Sequence, residues 1–188
     1  MEGALIFGKY DLTEVTVNDG GLAKYIDLSP TNVPHSGGAH ANRWFGKSKL
    51  SIVERLINNI MRTEKYTGKK QKAYKAVSDA FDIIAARTKE NPVQALVDCI
   101  ENAAPREEVT RLQFGGISVP KAVDVSPQRR VDIAIRNISS GVIKNSNRNK
   151  KPIAQVLADE IMLGAKGDMA SFAVAKKEEI ERVAQAAR

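Results

Sequence analysis

The sequence predicts a mainly α fold: a bundle of about six helices, a protruding β-hairpin between helices three and four, and an extended N-terminal segment. Three observations carry this. Apolar residues recur at steps of three and four in successive stretches from Lys49 onward. The pairs Asn91-Pro92 and Ser126-Pro127 have the form of helix starts, a capping side chain followed by proline at the first helical position. One stretch, RLQFGGISVP, reads as two short β-like runs around a Gly-Gly turn. The chain has 188 residues, enough for one good core with an appendage.

Residues 1–48 are rich in Gly, Asp, Thr, Asn and Pro and hold two β-like runs, DLTEVTV and LAKYIDL. The stretch VPHSGGAHANRWFGKSK that follows is too glycine-rich and polar for a core element, and is expected to lie extended on another surface. This N-terminal extension, partly extended or β, ends near Ser48, and its composition predicts ordering on a partner. A helical domain then occupies 49–188, with a ribbon arm at about 107–124.

The first helix carries Ile52, Val53, Leu56, Ile57, Ile60 and Met61 on one side, and the loop TEKYTGKK stops it at Gly68. In the second, Ala73, Val77, Ala80, Phe81 and Ile84 share a face, with Lys69, Lys72 and Lys75 near its start. A cationic start opposes the helix macrodipole, so these lysines require an external reason. The third helix opens at Asn91-Pro92, runs through Leu96, Val97 and Ile100, and ends before Pro105. Glu108 to Gln113 and Ile117 to Asp124 then form the hairpin; Pro120 is tolerated only at an edge or bulge, so the ribbon projects.

Ser126 and Pro127 start a fourth helix with Val131, Ala134, Ile135, Ile138 and Val142 inward. At about 100° per residue, Arg129 and Arg136 stand within about 20° of each other, nearly opposite that stripe. After KNSNRNKK, a fifth helix from Pro152 to Gly164 uses Ile153, Val156, Leu157 and Ile161. Past the loop AKGDMAS, the last helix starts at Ser171, with Phe172, Ile180, Val183 and Ala187 inward and Lys176 and Lys177 in its early turns.

Composition narrows the function. Lys and Arg number 29 against 22 Asp and Glu, a net charge of +7, which draws polyanions by steering and counterion release. No run approaches the roughly 18 apolar residues of a membrane span, and MEGALIFGKYDLTEV lacks the basic start and long apolar centre of a signal peptide. A lone Cys99 in VQALVDCI reads as a buried core thiol, and with only His35 and His40 beside it the sequence supplies no zinc set, so no metal or cofactor is expected.

Nucleotide binding is rejected at TGKKQKA, where a P-loop would need glycine at Thr63 and Ser or Thr at Lys70. The acid pairs Asp159/Glu160 and Glu107/Glu108 read as solvated surface groups, and Ser36 beside His35 has no acidic third member in view. No enzyme is expected.

The basic residues gather at turns and helix starts: His40, Arg43 and Lys47; Lys69, Lys70 and Lys72; Arg111 and Lys121; Arg129, Arg130 and Arg136; Arg148, Lys150 and Lys151; Lys176 and Lys177. Six clusters on a cationic chain predict a multi-point phosphate surface. At the ribbon tip, Gln113, Phe114, Gly115, Gly116 and Ile117 place an aromatic beside two glycines, suited to stacking on a base or wedging in a groove. These residues alone leave two readings open, a structural RNA-binding protein and a DNA-architectural protein with a basic β-ribbon.

AAPREEVTR, the FGG turn, AVDVSPQRRVDIAI and SFAVAKKEEIERVA, in this order, resemble the small-ribosomal-subunit protein seven family in its archaeal and eukaryotic form. LIFGKYDLTEV, HSGGAHANRWFGKSKLSIVERLINNIM and GKKQKA extend the resemblance over nearly the whole chain. It implies a helical protein with a protruding hairpin, a cytoplasmic ribosomal constituent bound to the 3′ major domain of small-subunit rRNA in the head. It further implies a role in nucleating head assembly, a place by the exit-site tRNA and the mRNA, and neighbouring ribosomal proteins of the head and platform. On matching positions the rRNA contacts implied are Lys69, Lys70, Arg111, Lys121, Arg129, Arg130, Lys176 and Lys177, with Gln113 to Ile117 facing the tRNA exit site. Ala39 and Trp44 depart from the family pattern where basic residues are common, and Ala76 where a larger aliphatic often stands.

Overall fold

Helices α1 (Ile52–Ile60), α2 (Lys70–Thr88), α3 (Pro92–Ala103), α4 (Pro127–Ser146), α5 (Ile153–Ala165) and α6 (Phe172–Ala186) form a bundle, with the strands β1 (Glu107–Phe114) and β2 (Ile117–Asp124) between α3 and α4. The structure, a computed structural model, describes residues 5–62, 67–147 and 149–188 and all of their side chains except that of Phe114. The loop residues 63–66, the cation Arg148 and the expected stacking ring of Phe114 therefore lie outside the described residues.

The predicted apolar stripes meet in one core. Ile52, Leu56 and Ile60 of α1, Val77, Phe81 and Ile84 of α2, Leu96 and Ile100 of α3, Ile135, Ile138 and Val142 of α4, and Leu157 and Ile161 of α5 are all fully buried. Each such side chain contributes about 1.5–3 kcal/mol relative to exposure. Helix α5 packs on α2, α3 and α4. Its approach to α3 depends on Gly164, because a Cβ there would overlap the Cys99 sulfur, itself buried in α3. Gly141 serves the same purpose for α6: a Cβ on it would lie 2.7 Å from Cβ of Phe172.

Asn91 caps α3 by accepting from the Val93 N–H at 3.0 Å, and Ser171 caps α6 by accepting from Val174. Ser126, expected to do the same for α4, makes no side-chain cap bond; its side chain is exposed and water competes for the hydroxyl, leaving Pro127 to set the helix start. On α6 the inward residues are Ala173, Val174 and Ala184, and Val183 is 52 % exposed, correcting its expected inward place. Val183 stands about 180° around the helix from Val174, so the two cannot share one face.

The segment 1–48 also differs from expectation. Among the described residues neither DLTEVTV nor LAKYIDL forms a strand, and the second holds a short 3-10 turn, Ala23–Tyr25. Ile6, Leu12, Val15, Leu22 and Ile26 are buried in the main core, so the chain through Ile26 acts as a strap over the helices. Phe7 meets Tyr74 and Phe81 edge-on, at 4.9 and 5.8 Å between ring centroids. Lys9 and Tyr10 both bind Asp82 of α2, and burial, reinforced by the bond to Asp82, pushes the Tyr10 phenol up to about 12. Further on, the stretch expected to be extended folds into two 3-10 turns, Ala39–Asn42 and Gly46–Lys49, after left-handed Gly37 and Gly38.

The hairpin runs in the register Glu107↔Asp124 to Phe114↔Ile117 and turns through Gly115 and Gly116, at φ +56° and +86°. Two consecutive positive φ angles are what the twist-matching two-residue hairpin turn requires. Most of β2 is exposed, and the arm is fastened at its base, where the Arg106 N–H donates to Glu181 (2.8 Å) and the Ala122 N–H to the Ala187 carbonyl (3.3 Å).

Candidate nucleic-acid interface

The site begins at Glu54, a carboxylate on α1 only 3 % exposed. It accepts from the backbone N–H of Ser36 (3.0 Å), from the Ser36 hydroxyl (3.1 Å) and from Lys70 Nζ (2.7 Å). One carboxylate thus fastens the Gly37-Gly38 turn and the start of α2 to α1. The cationic start of α2, expected to serve an outside partner, has at Lys70 an internal reason. The same bonds bear on the Ser36 reading. An acidic partner exists, but the hydroxyl donates to it directly and His40 Nδ1 stands 3.4 Å from that hydroxyl, so no imidazole links serine to acid as a nucleophilic relay requires.

Burial acts to raise the Glu54 carboxyl, but the bonds from Lys70 and Ser36 outweigh it and hold the group below its ordinary value of 4.5. A carboxyl with a depressed folded-state value contributes stability that is complete above the unfolded value and is lost as pH falls through the folded one. Thermal melts should therefore decline below about pH 4.5, and Glu54→Gln should flatten that part of the profile. Identical profiles for the two proteins between pH 6 and pH 3 would show that Glu54 carries none of the acid sensitivity.

Beyond this clamp the 3-10 turns bring His40 and Lys47 against α1 and α4. Gly46 is indispensable there, because a Cβ would run into the His40 carbonyl. Lys47 pairs with Asp132 of α4. Arg55, 4 % exposed, donates to the same carboxylate at 2.8 Å and to the Tyr25 carbonyl at 2.8 Å. Burial lowers the Arg55 guanidinium and Asp132 works against that. Arg136, one turn beyond Asp132, completes a cleft of about 130 Å³ lined by His40, Lys47, Arg55, Arg62 and Arg136 with Asn58 and Asn59. Among the described residues Asp132 is the one acidic residue lining it. Four permanent cations around one carboxylate, beside amides that donate and accept, suit a phosphate backbone.

A family model described as "Ribosomal protein S7p/S5e" matches residues 22–188. The chain belongs to this family. A protein of Thermoplasma volcanium named "Small ribosomal subunit protein uS7" is 59 % identical over 184 residues, covering 98 % of this chain and 100 % of the relative. Namesakes from Archaeoglobus fulgidus (58 %, 100 % of this chain and 96 % of the relative) and Methanothermobacter thermautotrophicus (57 %, 98 % and 99 %) are similar over the same extent. The role of this family member is that of a structural constituent of the small ribosomal subunit. No helix among the described residues is long and apolar enough to cross a membrane.

Within this S7p/S5e-family chain the basic residues singled out in the sequence divide by their partners. His40, Lys47 and Arg136 converge on the cleft. Arg43, Lys72, Arg111 and Lys121 are exposed and make no ion pair among the described residues, and the register puts Arg111 and Lys121 on opposite faces of the arm. Lys69 is exposed at the start of α2. Arg129 grips Glu108 with two bonds, 2.7 and 3.0 Å, and that grip raises its guanidinium. Arg130, whose side chain is 12 % exposed, holds Asp19 of the strap at 3.0 Å. It shares with Arg106 and Lys177 a crease that Asp19, Glu101 and Glu181 neutralise. Lys176 pairs with Glu179, and Lys177 with Glu178 and Glu181. The tip residues Gln113, Gly115, Gly116 and Ile117 are all exposed.

All four acids read as solvated prove to have partners: Asp159 binds Arg87 and Glu107 binds Arg188. Glu160 is buried and accepts from the Ser171 hydroxyl and the Ala173 N–H at the start of α6, and Glu108 is spoken for by Arg129. Arg55, Asn58, Asn59 and Arg62 escaped the sequence reading. They recur at steps of three, one and three, the first three on α1 and Arg62 just past its end, as the polar counterpart of the apolar stripe, and reading that face as well would have found them.

Proposed function

We propose that this ribosomal constituent binds the 3′ major domain of small-subunit rRNA, nucleates assembly of the head, and lies in the cytoplasmic ribosome near the exit-site tRNA and the mRNA path, among neighbouring proteins of the head and platform. The observation that carries the reading is the α1–α4 cleft, in which His40, Lys47, Arg55, Arg62 and Arg136 surround the Asp132 carboxylate. Phosphate contacts fix the register there, and RNA shape supplies site choice. Arg43, Lys72, Arg111, Lys121 and Arg136 meet phosphate directly, and Lys69, exposed at the start of α2, adds a contact beside them. Lys47, Lys70, Arg129, Arg130, Lys176 and Lys177 are held by carboxylates and reach RNA by exchanging those partners. The tip, Gln113 to Ile117, points along the arm toward the tRNA exit site.

Labelled 3′-domain rRNA, titrated at rising salt against duplex DNA and unrelated structured RNA, tests this. Persistence at moderate salt while both competitors fail supports it; equal competition by duplex DNA sinks it. Each phosphate contact adds about 0.9 to the slope of log affinity on log salt for a duplex and about 0.7 for a single strand. The combined variant Arg111→Ala, Lys121→Ala, Arg136→Ala should therefore lower the slope by about 2 to 3. An unchanged slope would remove these three from the interface.

A further inference from the structure

Trp44 is 94 % exposed and Phe45 69 % exposed, side by side between the two 3-10 turns that lead into the basic cleft. A solvated indole forgoes the burial that makes aromatic residues valuable inside a fold. Phe45 moreover takes φ +55°, a left-handed conformation unfavourable for a bulky side chain. The chain is held in it: the Gly46 N–H donates to the Arg43 carbonyl at 3.1 Å, and both the N–H and the hydroxyl of Ser48 donate to the Phe45 carbonyl, at 3.0 and 2.8 Å. Two aromatic rings are thus held out into solvent by a braced turn.

What surrounds them is cationic. Arg43 adjoins Trp44, and His40 and Lys47 of the same double turn line the cleft with Arg55, Arg62 and Arg136. Trp44 is three residues from Lys47, so its Cα lies within about 11 Å of that rim residue. Single-stranded nucleic acid is bound by this combination, a cationic track for the backbone with aromatic faces on which bases stack. We infer that Trp44 and Phe45 form a stacking platform for unpaired RNA bases whose phosphates run into the α1–α4 cleft. The inference rests on the rRNA-binding reading and adds a base contact to a surface otherwise made of phosphate contacts.

Trp44 is the only tryptophan in the chain, so its fluorescence reports on this position alone. The full-length protein is titrated with 3′-domain rRNA and, separately, with a twelve-nucleotide oligoadenylate, while rRNA affinity is measured independently by filter binding. Both ligands should quench the indole and shield it from acrylamide. Trp44→Ala should cost about tenfold in rRNA affinity with the salt slope unchanged, and Trp44→Phe should restore most of it. Phe45→Gly, which suits the left-handed backbone, should fold normally and lose affinity in the same way.

Tight, salt-sensitive rRNA binding with an acrylamide-accessible indole and an unaffected Trp44→Ala protein overturns the platform and leaves the rRNA reading standing. Failure of rRNA to bind at all strikes at that reading, and the oligoadenylate titration still decides the platform, which absent quenching there refutes. Shielding that appears only when another ribosomal protein is added also overturns it, in favour of a protein partner.

Discussion

An Asp132→Ala protein is expected to melt at lower temperature and to bind RNA more tightly. Asp132 is the carboxylate shared by Lys47 and by Arg55, whose side chain is 4 % exposed. Removing it strands a buried guanidinium with only the Tyr25 carbonyl as acceptor, a defect of about 3 kcal/mol. For a chain of this size that corresponds to a drop in Tm of roughly 6–12 °C. The same change deletes the one negative charge that lines the cleft among the described residues and releases Lys47 into it, so rRNA affinity measured well below the melting range should rise, most at low salt. Unchanged melting would mean that the Tyr25 carbonyl and water suffice for Arg55. Weaker RNA binding by a folded variant would move the RNA away from this cleft.

The second large effect is expected at Gly164→Ala. The methyl group would be driven into the Cys99 sulfur, where α5 crosses α3 in the centre of the bundle. Overpacking of a filled core costs about 1–3 kcal/mol, and two helix backbones must separate to relieve it. Adding Cys99→Ala removes the obstructing atom, so the double variant should be more stable than the two separate losses predict, a coupling readable by denaturant unfolding. Strict additivity would show that the helices shift apart without regard to the sulfur. The cysteine itself should stay inert to thiol reagents in the native protein, because burial first, and then the charges of Glu160 and Asp98, push its thiol well above the ordinary range.

What the sequence disclosed and what it withheld separate along physical lines. Asn91-Pro92, the Gly115-Gly116 turn and the stripe Val131 to Val142 were readable because each acts through neighbours a few residues away. The double turn over 39–49 was not, since its shape depends on Phe45 entering a conformation that the residue does not advertise. Nor could the basic clusters be sorted into free and committed members. Lys47–Asp132 and Arg130–Asp19 join residues 85 and 111 apart in sequence, and such pairs exist only once tertiary packing has brought the charges together. The strap shows the same limit: DLTEVTV alternates like a strand, yet Leu12 and Val15 are used singly, as pegs in gaps between helices.

That strap has a consequence for the order in which the molecule is made. Lys9 waits for Asp82, Asn18 and Asp19 wait for Glu101, and Asp19 also waits for Arg130. At a translation rate of about 5–20 residues per second, the interval between synthesis of Asp19 and of its last partner is roughly 5–20 s. Over that time Ile6, Leu12 and Leu22 have left the peptidyl-transferase centre with no finished surface to occupy. The strap is thus made well before the helices that hold it, and a nascent chain of this protein passes through a stage at which these apolar residues are open to any chaperone that scans for them.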